Sequence, residues 1–346
     1  MKRAVLIFVM LLLLSVPVSA QDYTAPEVSG DAAALLPEDR DSFGEGLWYV
    51  VTSAFSQLHP SLMEGIGTSL SVIAAALLIC ILQNCAWGAA DAVRLAGVVC
   101  ISVLLFSPAD AWISAAADTV CQLSEYGKLL LPVITAALAA QGGGSTSAAL
   151  YTATITFDAL LSGLISTILM PLVYIYLVFS VMQAAVGDTM MKKLRSLVKS
   201  AMTWLLKIVL YTFTGYISIT GVVSGTADQN AIKAAKLTIS GVVPVVGSIL
   251  SDASETLLVS AGLVKNTVGI AGMLAVIAIV IVPFLQIGVQ YLLLKLTAAV
   301  CALISHKSIA DLVEDFSGAM GFLLGMTGAV CMIFLISLVC FLRGMG

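Results

Sequence analysis

Two sets of residues in this chain have types and spacings suited to chemistry. The first is Asp158 and Lys295, ionisable groups set within long apolar runs. At the centre of a membrane helix such a group costs about 2.5–3.5 kcal/mol on insertion scales, so its default reading is functional, with ion coupling as the chemistry it could serve. Gln183, Gln286 and Gln290 stand in comparable runs as uncharged companions. The structural alternative is plain: Lys295 can snorkel to an interface, and Asp158 can lie near the outer end of its run. Lys207, close to one end of its apolar run, reads as an anchor. The second set flanks the stretch GVVPVVGSILSD (241–252), whose own Pro244 and Gly247 interrupt an apolar segment. Lys233 and Lys236 precede it, Asp252 and Glu255 close it, and Lys265 and Asn266 follow. Spacing of i, i+3 puts each charged pair on one helical face. An antiparallel hairpin would set acids against bases, as a structural clamp or as the lining of a polar path.

Enzyme chemistry finds little support. GVVSG (221–225) is not the G-x-S-G turn of an intramembrane serine protease, and His306 falls in a loop expected on the opposite face. Ser196 and Lys199 have S-x-x-K spacing but lie in a basic helix without a partner motif. There is no Walker A sequence, so energy input must come from another subunit. Seven cysteines without a CxxC, mostly inside apolar runs, read as small buried hydrophobes. His59 and His306 are the only histidines, and neither a metal site nor a cofactor site can be argued from them. No basic face with interleaved aromatics suggests nucleic acid.

The elements that carry these residues are set by composition. Of 346 residues, 60% are hydrophobic and only 10% charged, against about 25% charged in soluble domains. Mean hydropathy is +1.07. The class is an all-α polytopic membrane protein. Residues 1–20 have the charged, apolar and small-residue regions of a signal peptide, with cleavage after Ala20, or retention as an anchor, as its fates. Residues 21–62 form an acidic extracytoplasmic segment ending in an interfacial helix near Trp48 and Tyr49. Seven of the 20 acids lie between Asp22 and Glu45, where Arg40 is the only base.

The helical membrane domain occupies 63–346, with about six spans. The expected spans are 68–86, 93–107, the long run 148–187, 201–224, the long run 267–304 and 317–342. With the N-terminus outside, this order brings the cluster Lys192, Lys193, Arg195 and Lys199 to the cytoplasm, as the positive-inside rule requires. The order holds only if 128–147 and the stretch around 241–252 do not cross. Both are therefore expected as re-entrant or half-depth segments, or as hairpins on the outer surface. Each contains a proline, Pro132 and Pro244, 112 residues apart. Pro171 and Pro283, where the two long runs are expected to bend, share that interval. This suggests a parallel repeat of units 93–187 and 201–304. Irregular backbone at membrane depth survives only against protein or water, and paired interrupted segments are a pointer to a translocation or binding path.

Residues 226–273 carry a resemblance. Thr226 and Asp228, Lys233 and Lys236, the VPVVG core from Val243 to Gly247, Ser251 to Thr256, and KNTVG from Lys265 to Gly269 resemble the signature region of the stage III sporulation protein AE family. The match is specific over this region and extends over most of the chain in general layout only. The resemblance implies a mother-cell membrane protein around the forespore, non-enzymatic, in a secretion-like channel complex needed for endospore development. Its implied partners are an ATPase, ring-forming subunits and, indirectly, the forespore channel protein. It further implies that the outside face is the intermembrane space. Two other readings stay open: a stand-alone ion-coupled transporter or permease, and a non-conducting scaffold.

Overall fold

The computed structural model describes residues 26, 28, 30–36, 43–85, 89–140, 144–219 and 267–344. The expected signal peptide lies outside these residues, as do Lys236, Pro244, Gly247, Asp252, Glu255, Lys265 and Asn266. Every regular element described is helical. A short 3-10 turn, Gly30–Leu35, precedes α1 (Phe43–Ser56), α2 (Leu58–Cys85), α3 (Ala90–Ala140) and α4 (Gly144–Leu164). A π turn, Ile165–Leu169, joins α4 to α5 (Met170–Val186). Then come α6 (Thr189–Ile219), α7 (Thr267–Ile304) and α8 (Lys307–Gly344).

Six stretches are long and apolar enough to cross a membrane: Phe43–Cys85, Ala90–Ala136, Tyr151–Val186, Thr189–Tyr216, Gly269–Ile304 and Lys307–Phe341. Every expected span falls largely on one of them. The all-helical reading of the composition is therefore the class seen among the described residues, with six helices long and apolar enough to span.

The first short proline segment behaves differently from expectation. Residues 128–140 are not a separate half-depth piece but the last turns of α3, a helix of 51 residues and thus about 76 Å long. The reason is a continuous apolar stripe. Val98, Ile101, Leu105, Ala109, Ile113, Ala116, Val120, Leu123, Leu130, Leu131 and Ile134 are all buried, in steps that hold one helical face. Pro132 lies on the exposed side of α3. There a missing N–H and a displaced carbonyl cost least against the packed stripe.

Pro171 and Pro283 are also accommodated in different ways. Before Pro171 the helix widens into the π turn, and Met170 N–H bonds to the carbonyl of Ile165, five residues back. Such single-turn bulges are a known relief inside long helices. Pro283, in contrast, sits within the unbroken α7. The shared 112-residue interval therefore does not translate into one local structure at the two described bends.

Helix α8 is the hub, packing on α3, α4, α5, α6 and α7, with its longest contact along α7. The α7–α8 hairpin closes at Ser305, whose N–H bonds to Cys301 O at 2.8 Å. All residues from Gly269 to Val280 are buried, so the first turns of α7 are enclosed on every side. Helix α1 packs its edge Phe43, Gly46, Val50 and Ala54 inward, and a side chain at Gly46 would strike Leu274 on α7. Helix α2 approaches α7 closely at Gly65, where a Cβ would come within 2.6 Å of Gln290 and Leu293. Small residues permit such helix approaches in apolar surroundings.

Candidate functional site: two polar seams on the central helix

Polar side chains gather at two levels along α8. The first is built on adjacent acids, Glu314 and Asp315, near its start. The carboxylate of Asp315 is buried and receives donors from two other helices. Tyr176 Oη on α5 donates to Asp315 Oδ1 at 3.0 Å, and Arg195 Nη1 on α6 pairs with Oδ2. Gly318, one turn on, leaves room for the Tyr176 hydroxyl, which a Cβ there would approach to 3.2 Å. Phe106 of α3 meets Phe316 edge-on at 5.5 Å, and Tyr174 Oη donates to Asp110 Oδ1 on α3 at 2.6 Å. Ser317 Oγ donates to Tyr291 O on α7 at 3.1 Å. Four other helices thus meet around one short stretch of α8.

Glu314 faces the other way. Its Oε1 accepts from Lys295 Nζ on α7 at 2.6 Å, and both side chains are about half exposed. An open groove runs beside this pair, lined by Ala298, Ala302, Ser305, Lys307 and Asp311. Exposed ion pairs contribute at most about 1 kcal/mol. Lys295→Gln should therefore leave the thermal melt of the purified protein nearly unchanged. A large drop would mean that the pair holds the hairpin together.

The second seam lies toward the other end of α8. Asp158 on α4 is 2% exposed. Its Oδ2 accepts from Ser124 Oγ on α3 at 2.7 Å. One turn earlier on α4, the buried Thr154 donates to Ser337 Oγ on α8 at 2.7 Å. Beside them Phe157 packs edge-on against Phe213 of α6, with centroids 5.4 Å apart.

The two seams share a register. Thr154 and Tyr176 stand 22 residues apart on α4–α5, and their partners Asp315 and Ser337 stand 22 apart on α8. At 1.5 Å per residue this is about 33 Å, close to the roughly 30 Å thickness of a hydrocarbon core. The antiparallel pair is tied at both ends of a membrane-sized interval.

The residues singled out from sequence are not brought together. Asp158 and Lys295 belong to different seams: Asp158 precedes the Tyr176 of the other seam by 18 residues, about 27 Å along the helix. Pro132 lies two turns beyond Ser124 on α3, on the exposed side. Gln290 serves packing: its Nε2 donates to Ser61 O on α2 at 3.2 Å. The sequence reading missed Arg195, Tyr176 and Asp315 as partners. Arg195 reads as part of a basic cluster, and Asp315 falls between the expected spans 267–304 and 317–342. One signal was present: Asp315 directly abuts the apolar run that begins at Phe316.

Comparison with known proteins adds the remaining information. The family model described as stage III sporulation protein AE matches residues 44–344. The chain is 26% identical over 330 residues to the Bacillus subtilis (strain 168) protein called "Stage III sporulation protein AE", covering 90% of this chain and 82% of that one. No solved structure matches the chain.

Proposed function

Because the chain belongs to the stage III sporulation protein AE family, we propose that it is a non-enzymatic membrane component of the mother cell–forespore channel complex. The single observation that carries this is the family match from residue 44 to 344, across all six apolar stretches. In this reading residues 1–20 are a signal peptide, 21–62 are exported and 63–346 are the membrane domain. The N-terminus faces the intermembrane space, and Lys192, Lys193 and Lys199 face the mother-cell cytoplasm. An ATPase and ring-forming subunits are its partners, and the forespore channel protein is met indirectly. Pro244, Gly247, Asp252, Glu255, Lys236, Lys265 and Asn266 belong to the path or gate.

A null strain of the organism that encodes this chain should lose heat-resistant spores, and the wild-type gene should restore them. Normal sporulation of the null strain would overturn the proposal. Within it, Pro244→Ala together with Asp252→Ala should lower spore counts while the protein still accumulates in the membrane. Full counts from that variant would remove the path and leave a scaffold. The buried Asp158 favours a second reading, an ion-coupled transporter. In that case Asp158→Asn should abolish function where a scaffold would tolerate it.

A further inference from the structure

We propose that Asp158, with the hydroxyls of Ser124, Thr154 and Ser337, holds a small monovalent metal cation of the sodium class. This goes beyond the sporulation role and does not depend on it, since the readout is binding to the purified protein.

The geometry begins with an imbalance. Asp158 is almost fully buried, yet only one carboxylate oxygen is hydrogen-bonded, to Ser124 Oγ. Its Oδ1 is buried and has no hydrogen-bond partner among the described residues. An ionised carboxylate left unpaired in apolar surroundings is strongly disfavoured, and a proton, a positive charge or a further donor relieves it. The residues nearby supply oxygen and little else. Thr154 lies on the same face of α4 as Asp158, one turn away, and its hydroxyl meets that of Ser337 at 2.7 Å. Asp158 and Thr154 thus share a face of α4, and their partners Ser124 and Ser337 add hard oxygen atoms at adjoining turns, a chemistry that suits a hard cation. One carboxylate balances one positive charge, so a monovalent ion fits better than a divalent one.

Among the described residues, Glu125 and Lys128 on α3 are exposed, and Lys128, one turn beyond Ser124, acts electrostatically on Asp158 and is the competing counter-charge. Helix α8 carries no acid or base between Phe316 and Phe341. On α6 the nearest base is Lys207, several residues from the Phe213 that packs beside the site.

The full chain in nanodiscs, melted in NaCl and in choline chloride at equal ionic strength and at two pH values, tests this. A saturable rise in Tm with sodium, absent with choline, is expected. Asp158→Asn should lose that rise. Ser124→Ala and Ser337→Ala should each weaken the apparent sodium affinity about tenfold, a loss on the scale of one ligand contact. The proposal fails if choline acts as sodium does, or if Asp158→Asn responds as the wild type does. It also fails if Tm depends on pH but not on sodium, which assigns a proton or the Lys128 ammonium as the counter-charge. Should Asp158→Asn not fold, unchanged sodium affinity in both serine variants overturns it.

Discussion

Arg195→Ala is expected to destabilise the protein by about 3–5 kcal/mol, because it leaves the Asp315 carboxylate buried without its cation. The pairing joins α6 to α8, and Tyr176 holds the other oxygen from α5. The loss should therefore spread over three helices at once. Adding Asp315→Asn to Arg195→Ala should recover most of the stability, since the uncompensated charge is gone. Tyr176→Phe removes one hydrogen bond and should cost about 1 kcal/mol. Unfolding in nanodiscs, read by tryptophan fluorescence, orders the variants. Equal stability of Arg195→Ala and wild type would mean that the Asp315 carboxylate is solvated and the junction does not form.

Gly127→Val should be the second severe change. A Cβ at Gly127 would overlap the ring of Phe334 on α8, and overpacking of this kind costs about 1–3 kcal/mol, occasionally more. Phe334→Leu trims the obstructing ring. Paired with Gly127→Val, it should give a double variant more stable than the sum of the two single losses, since contacting residues couple. Gly163→Ala and Gly215→Ala are the controls. Nothing lies within 4 Å of the added carbon at either position, so the helix preference for Ala over Gly should leave stability equal or raised by about 0.5–1 kcal/mol. If Gly127→Val melts like these controls, α3 does not run along α8 at this level. The segment after it would then be free to act as the short re-entrant piece that its proline suggested.

The legibility of the chain followed the reach of each signal. Apolar runs identify helices one at a time, and the long runs at 148–187 and 267–304 are visible without any contact. What a proline does inside such a run is decided by its neighbours. Pro132 and Pro171 look alike in sequence, yet one sits on an exposed helix face and the other follows a π turn. Charge cost singled out Asp158 and Lys295 as candidate functional charges; in the fold Asp158 is buried against Ser124 and Lys295 is half exposed beside Glu314. The partners themselves come from other helices: Ser124 lies 34 residues before Asp158, and Arg195 lies 120 residues before Asp315. Serines and an arginine in a basic cluster carry no local mark of such pairing. Close approach is equally silent, because Gly127 and Gly163 are the same letter until the opposing helix is known.

The matched 22-residue intervals limit how the protein can move. Sliding α8 past α4–α5 by one turn would carry about 5.4 Å of displacement to both ends together. The Thr154–Ser337 bond and the Tyr176–Asp315 bond would have to break in the same step. A ratchet of that pair is thus held by two latches that cannot be released in turn. Rocking of α1 and α2 against α7 opens neither latch, but it would break the Gln290–Ser61 bond and disturb the close approach at Gly65.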